Sequence, residues 1–429
     1  MKAIAPNLRR WVRLHQRAPG ARPLLNGIEL AYQAVRRVAD RNGRPAEAGG
    51  WPIRALPFPA PQPFGGRELR ELRRALRDQG LCAPEDDAVR RFERRMASIF
   101  GSRHAIAVSS GTSALHAALI AAEIGPGDEV IVPALTHASA ALAVLYQGAI
   151  PRFADASPGT FNPDPARIEA AVTERTRAIV TVHLCGVPSE LAPIRRLAER
   201  HGLMLIEDAA QAHGAAYEGR MVGTIGHLGC FSFQSAKTLV TGEGGAVLTD
   251  DDALARRVRL AIDFGEVRRT EEPGSRAEYV LVGWNYRMSN LQASVGLAQL
   301  ERFEAARAAR ARNAARLREE LEGLPGVELQ AVPEGATACH SIFFARFDPA
   351  AAGRDRDAVA AGLRREGIDL KLPYDRPLAF HRLFGEGGSY PVAERICAEA
   401  LGFRVDPSLR GREMAAVGAA LRRLLAWRR

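Results

Sequence analysis

The sequence predicts an α/β protein in two parts. A large domain over residues 62–300 holds a mostly parallel seven-stranded sheet between helices, and a smaller α+β domain covers 301–429. Three observations carry this. From residue 65 onward, short apolar runs alternate with helix-length segments, the pattern of crossover units that build a parallel sheet covered on both faces. Beyond residue 288 the alternation gives way to a long helical stretch, then a strand and more helices. The 429 residues are also more than one core usually holds.

The elements follow in order. Helices are expected at 66–78 and 86–100. Strands are expected at 105–109, 129–133, 151–155, 178–183, 203–207, 230–233 and 246–249, with helices between them at 112–123, 136–147, 164–172 and 190–201. A helical stretch rich in Ala, Leu, Glu and Arg runs over 289–323. A strand at 340–347 and helices at 355–366, 392–401 and 411–426 complete the smaller domain.

Residues 1–61 read as a basic extension and linker. The first 60 residues hold 11 Lys/Arg against three acids, while the other 369 hold 48 against 46. Arg9, Arg10, Arg13 and Arg17 recur near helical spacing, Asn26-Gly27 breaks that helix, and 28–41 forms a second. Gly, Pro and Ala then dominate 43–63, the composition of a linker. The segment is a solvated arm or a clamp on the body. The alternative is a surface for an acidic partner such as nucleic acid, anionic lipid or a carrier protein. Its removal is expected to leave cofactor binding largely intact. It lacks the apolar run of a secretory leader.

The chain is 47% hydrophobic and 25% charged, so a sizeable core forms and wholesale disorder is excluded. No run of 18 apolar residues predicts a membrane span. Five cysteines (Cys82, Cys185, Cys230, Cys339, Cys397) lie far apart without a C-x-x-C pair, which points to a reducing, cytoplasmic setting rather than a disulfide scaffold. The histidines show no metal spacing, so no metal site is expected.

Ligands of open α/β sheets bind beyond the carboxyl ends of the strands. Three clusters stand there. Ser109-Ser110-Gly111-Thr112-Ser113 opens a helix, where amides, hydroxyls and the helix dipole suit a phosphate; the simpler reading is an N-cap. Glu207-Asp208 follows an apolar strand, as a cap or as a carboxylate aimed into a site. Lys237 follows Phe231-Ser232-Phe233 and precedes Gly242-Glu243-Gly244-Gly245. It is one of only three lysines among 59 basic residues, the others being Lys2 and Lys371. Unlike Arg, Lys can lose its proton and act as an amine nucleophile, and partial burial favours this. A phosphate cup, a carboxylate and an amine on neighbouring strand ends describe a pyridoxal phosphate site. There the lysine forms a Schiff base, the carboxylate holds the pyridine nitrogen protonated and the helix N-terminus anchors the phosphate. His183 and His213, at strand ends, are candidates to meet substrate; structural roles are the alternative.

The run S-G-T-x-A-L, D-E-V-I-V-P-A-x-T, I-E-D-A-A-Q-A-H-G-A, F-S-F-x-x-x-K-x-L-x-x-G-E-G-G and G-x-N-Y-R-M closely resembles the DegT/StrS family, fold-type I pyridoxal-phosphate-dependent aminotransferases of sugars and cyclitols. The resemblance covers roughly 62–429. It implies that Lys237 binds the cofactor and shuttles the proton, with pyridoxamine phosphate as the alternate cofactor form. Asp208 pairs with the pyridine nitrogen, and Gln211 lies near the ring hydroxyl. Gly111, Thr112, Ser113 and Ser232 form the phosphate cup. His137 takes the ring-stacking position, where the family often carries an aromatic residue, and Cys185 in H-L-C-G is a second departure of that kind. Asn285 serves the partner's site in a homodimer with shared active sites. Tyr374 reaches the substrate from the small domain, more so than Lys371.

The expected reaction moves nitrogen from glutamate or glutamine to a ring ketone of a sugar nucleotide or cyclitol-like intermediate, in natural-product or surface-polysaccharide biosynthesis. A related dehydrating branch carries His where Lys237 stands. A non-catalytic, cofactor-bound scaffold or regulator using the basic arm is the reading from another class, and Lys237 and Asp208 argue against it.

Overall fold

The computed structural model describes residues 21–40, 43–61, 64–79, 81, 88–268, 277–385 and 387–427. The expected Arg9–Arg17 helix and Cys82 lie outside them. All seven expected strands form, within one or two residues of their expected bounds: β1 (His104–Val108), β2 (Glu129–Pro133), β3 (Ile150–Ala154), β4 (Thr176–Val182), β5 (Met204–Asp208), β6 (Leu228–Ser232) and β7 (Gly245–Thr249). They make one sheet in the order β1-β7-β6-β5-β4-β2-β3. Only β7 runs antiparallel to its neighbours.

The strands read as near-continuous apolar runs because both sheet faces are covered. One face packs Ile106, Val130, Val180, Ile206 and Val247 against the helix Gly111–Ala121 and its neighbours. The opposite face of β6 and β7 packs Phe231, Phe233 and Leu248 against Phe92, Phe100 and Phe303. Aromatic edges meet there, with Phe92–Phe233 centroids 5.3 Å apart and Phe100–Phe231 centroids 4.9 Å apart.

The smaller domain is built on a four-stranded antiparallel sheet ordered Val327–Leu329, Phe343–Phe347, Ala400–Phe403, Leu370–Lys371. The helical stretch expected over 289–323 is two helices, Asn290–Leu300 and Phe303–Leu321. No Gly or Pro marks the break. The buried Glu68 carboxylate accepts from Gln299 Nε2 at 2.7 Å and pairs with Arg302 at 2.7 Å, so a partner far away in sequence fixes the joint.

Residues 43–61, expected as a linker, form a strap packed on the small domain. Ile53 and Phe58 belong to the core that contains Leu317, Phe343 and Leu401. The carboxylate of Glu366, itself 0% exposed, accepts the amides of Ala46 at 2.8 Å and Ile53 at 2.7 Å. Arg54 lies over the Phe58 ring and pairs with buried Glu413 at 3.5 Å. The polar groups of a Pro- and Gly-rich segment are thus met by fixed side chains of another element, which no local pattern encodes. The helix Ala21–Ala39 also continues through Asn26-Gly27, where a break was expected. Its Leu25, Ile28 and Tyr32 pack on Trp51, Ala55 and Leu56, and this burial outweighs the roughly 1 kcal/mol helix penalty of one glycine.

Buried imidazoles make the fold acid-sensitive, and His213 and His340 illustrate it. Burial, reinforced by Lys237 and Arg310, lowers the pKa of His213 from 6.5 to about 3. Burial and Arg318 lower that of His340 to about 4. Below pH 6.5 the unfolded chain takes up protons that the folded chain refuses, so this stability is full above that value and drains away as pH falls toward 4. Each histidine contributes a slope of about 1.4 kcal/mol per pH unit in that window. Urea unfolding should show a markedly lower midpoint at about pH 5 than at about pH 7.5, and equal midpoints would contradict this.

Candidate active site

The topology brings the carboxyl ends of β1, β4, β5 and β6 to one edge of the sheet. Ser232, the last residue of β6, pairs with Gly245, which faces Val108 on its other side. Val182 pairs with Asp208, and Asp208 with Cys230. The three clusters singled out in the sequence therefore converge.

The first is the N-terminus of helix Gly111–Ala121. Ser110 caps it by accepting the Ser113 amide at 3.0 Å. The Ser113 hydroxyl contacts Ser110 Oγ at 2.8 Å and Ser109 Oγ at 3.0 Å, so Ser113 helps shape the cap. The amides of Gly111 and Thr112, in the first turn, meet no acceptor among the described residues. A Cβ on Gly111 would lie 2.6 Å from Ser232 Cβ and 3.1 Å from its Oγ. Only glycine lets the helix end approach the strand this closely. Free amides at a helix start beside the Ser232 hydroxyl suit a phosphate group. Gly111→Ala should overpack the contact by about 1–3 kcal/mol and weaken cofactor affinity roughly 5- to 100-fold, measured by reconstituting apoprotein. Unchanged affinity would remove the Gly111–Ser232 contact from the cup.

Lys237 sits in the loop between β6 and β7. Its amide donates to Gln234 O at 2.9 Å in a tight turn, and the loop is closed by Phe233 N to Gly244 O at 2.8 Å and Thr241 N to Phe233 O at 2.8 Å. Burial lowers the pKa of the Lys237 ammonium, with help from Lys371 and against the pull of Asp208 and Cys185. A half-buried lysine held this way favours the neutral amine.

Asp208 is 5% exposed, and burial raises its pKa against the pull of the Ala210 amide, Lys237, His183 and His137. Its Oδ1 accepts the Ala210 amide at 3.1 Å, and it has no ion-pair partner among the described residues. A buried carboxyl without a cation is set to receive one. The residues present thus fit a group with a phosphate at one end and a basic ring nitrogen at the other.

Glu207, beside it, serves the fold. It accepts the amides of Gly223 (2.7 Å), Ile225 (2.7 Å) and Gly226 (2.6 Å) and holds His183 Nε2 at 3.0 Å. Burial opposes its charge, but His183 and the amides of Gly223 and Gly226 hold its pKa low. His183 Nδ1 accepts the Ser189 amide at 3.0 Å, so Nε2 carries the proton given to Glu207. Both nitrogens are committed and the ring is 0% exposed, an arrangement that suits the structural alternative for His183. His213 is likewise buried, between the Phe231 and Phe233 rings.

His137 is exposed, with Nδ1 fixed by the Ser139 amide at 3.2 Å and hydroxyl at 2.9 Å. Gln211 links two sides of the site: its Oε1 accepts the Cys185 amide at 3.0 Å, and its Nε2 points at Tyr374 Oη 3.5 Å away. Tyr374 thus reaches the site from the small domain, its phenol pushed up by burial. Cys185 holds a left-handed backbone (φ 58°) and a buried thiol whose pKa is likewise raised. Asn285 stands apart on an exposed segment, its backbone bridged to Asp263, with no side-chain partner among the described residues. Lys371 adds a positive charge that acts on both Lys237 and Cys185.

The family described as the DegT/DnrJ/EryC1/StrS aminotransferase family matches residues 64–422. The chain is 49% identical over 221 residues to the GDP-perosamine synthase of Caulobacter vibrioides, covering 52% of this chain and 58% of that protein. It is 43% identical over 281 residues to the L-glutamine:2-deoxy-scyllo-inosose aminotransferase of Streptomyces kanamyceticus, covering 62% and 66%. The matched stretches therefore span under two thirds of each of these two relatives. Among solved structures, DesI in the presence of its TDP-sugar product superposes with a TM-score of 0.78 at 35% identity, over 88% of this chain and 95% of that one. The architecture is that of the fold-type I aminotransferases.

Proposed function

Because the chain belongs to the DegT/DnrJ/EryC1/StrS aminotransferase family, we propose that it is a pyridoxal-phosphate-dependent aminotransferase. It moves an amino group from glutamate or glutamine to a ring ketone of a sugar nucleotide or cyclitol-like compound. The observation that carries this is the pairing of a half-buried Lys237, its proton affinity lowered, with the buried Asp208 on the sheet edge where the free amides of Gly111 and Thr112 also point. The named relatives act on a GDP-sugar and on an inosose, which supports both acceptor types.

Gly111, Thr112 and Ser232 would hold the cofactor phosphate, Asp208 its ring nitrogen and Lys237 its aldehyde carbon, with Gln211 and His137 beside the ring. When bound, the cofactor supplies an electron sink for the carbon that loses or gains the nitrogen. Lys237 takes the proton from the donor's α-carbon and returns one to the acceptor carbon, a transfer that needs its amine neutral at the outset. A protonated ring nitrogen would give Asp208 the cation that favours its ionised form. Buried Cys185 and half-buried Tyr374 flank Gln211 on this side of the site. Glutamate or glutamine added alone to the holoprotein should shift the cofactor's visible absorption as nitrogen is loaded. A spectrum that neither donor moves would overturn the reading.

The working unit is a homodimer with shared sites, located in the cytoplasm. The segment before Asn285 exposes Tyr279 (68%) and Val282 (81%), with Phe264 and Trp284 nearby, an apolar surface that calls for a second subunit. No described helix is long and apolar enough to cross a membrane, and Cys185, Cys230, Cys339 and Cys397 are all buried free thiols. Heterodimers of Lys237→Ala with Asn285→Ala carry both lesions in one site and neither in the other. They should recover activity toward half of wild type, whereas verified heterodimers as inactive as their parents would exclude sharing.

A further inference from the structure

The helix Ala21–Ala39 lies outside the residues that match the family, and its two sides are unlike. Leu25, Ile28 and Tyr32 turn to the strap. Polar groups on the same side pin the helix there. Tyr32 Oη donates to the Pro52 carbonyl at 2.8 Å, Gln33 Nε2 donates to the Ile53 carbonyl at 2.6 Å, and Glu29 accepts the Leu56 amide at 3.0 Å. At 3.6 residues per turn, Leu24, Gly27, Leu30, Ala31, Ala34 and Val35 therefore fall on the other side, and all six are exposed. Leu24 is 60% and Leu30 64% exposed. A solvent-facing helix side ordinarily carries charged and polar side chains. These six carry no charge and no side-chain hydrogen-bonding group.

The sequence that leads into this helix is complementary to a polyanion. Lys2, Arg9, Arg10, Arg13, Arg17 and Arg22 all precede the first acid of the chain, Glu29. Glu29 is itself spent on Gln33 Nε2 at 2.8 Å and on the strap. Trp11, of a residue type that favours the boundary between water and hydrocarbon, stands among these cations in the sequence. Aliphatic groups next to cations discriminate between polyanions. Nucleic-acid interfaces are polar and leave exposed leucines without a partner. A second copy of this face would bring two basic stretches together. An anionic bilayer meets both features at once, because its headgroups attract the cations and its acyl boundary takes up the leucines.

We propose that the helix Ala21–Ala39 docks the protein on an anionic lipid surface, with Leu24, Leu30 and Val35 entering the headgroup boundary while the basic stretch before them meets the lipid phosphates. The contact is peripheral, since no described helix is long and apolar enough to cross a membrane. The other side of the helix stays on the strap, which Glu366 and Arg423 tie to the small domain, so docking holds the folded body itself at the surface. Nothing in this depends on the chemistry at Lys237.

The test is flotation of full-length holoprotein with two kinds of vesicle, phosphatidylcholine alone and about three parts phosphatidylcholine to one part phosphatidylglycerol. The protein should float with the anionic vesicles and not with the neutral ones, and salt at about 0.5 M should weaken the binding at least several-fold. Leu24→Ser combined with Leu30→Ser keeps the charge and removes the aliphatic side. It should weaken binding roughly tenfold or more. Its urea midpoint should stay near that of wild type, because neither leucine packs on the strap. Arg9→Gln combined with Arg10→Gln and Arg13→Gln keeps the helix and removes charge, and should weaken binding by a similar factor. Absence of flotation with anionic vesicles, equal flotation with both kinds, or wild-type binding by the Ser pair overturns the proposal. Binding of a DNA duplex without flotation also overturns it and assigns the basic stretch to nucleic acid.

Discussion

Replacing Lys237 with alanine should abolish turnover, by at least about 10⁴-fold if the residue is both the covalent anchor and the proton shuttle. The visible absorption that depends on cofactor attachment should go with it, although the proposed phosphate cup at Gly111, Thr112 and Ser232 is untouched and the cofactor should still bind. Lys237→Arg should be equally inactive despite keeping the charge, because a guanidinium does not give up its proton near neutral pH. The variant pair therefore separates two accounts. If Lys237 only supplied positive charge to Asp208, arginine would restore activity. If it supplies an amine, neither substitution works. Burial, the first cause of its lowered proton affinity, points to the amine. An unaltered absorption spectrum in Lys237→Ala would remove the assignment.

Cutting the chain at residue 60 should damage the small domain, contrary to what the composition of the segment suggests. Deletion removes Ile53 and Phe58 from the core and leaves Glu366, Arg423 and Glu413 without their strap partners. Glu366 and Arg423 keep each other and Glu413 keeps Arg412, so what is lost is mainly the apolar packing and the hydrogen bonds to the strap backbone. The single substitution Phe58→Ala, at a side chain 1% exposed, should cost about 3–5 kcal/mol by itself. Denaturant unfolding with tyrosine and tryptophan fluorescence measures both. Truncation at residue 20 removes only the most basic stretch and should leave the midpoint near that of the full chain. If truncation at 60 behaves the same way, the strap packing contributes nothing and the linker reading stands.

The contrast between strap and sheet shows what was legible in the sequence. The seven strands announce themselves because each is buried on both faces, so that apolar runs such as Leu203–Ile206 stand out locally. The candidate site is drawn from the same runs: Asp208, Ser232 and Lys237 are chemically distinctive residues at or just beyond their ends. What escaped depends on partners far away in the chain. Pro- and Gly-rich residues 43–61 read as a linker because Glu366 and Arg404, more than 300 residues later, meet their backbone groups. The joint between Leu300 and Phe303 is set by Glu68. His183 stands at a strand end, where ligands bind, and Ser189 and Glu207 take both of its nitrogens. Short strands such as Leu370–Lys371 carry too few residues to show a period.

The most direct test of the account is amino transfer itself. Holoprotein is incubated with glutamate or glutamine labelled with heavy nitrogen in the transferable amino group, against a panel of keto-sugar nucleotides, phosphorylated keto-sugars and keto-cyclitols, and product masses are recorded. The account predicts a ring amine carrying the label, formed by wild type and not by Lys237→Ala. Label found only in simple amino acids, with no ring ketone aminated, would contradict it.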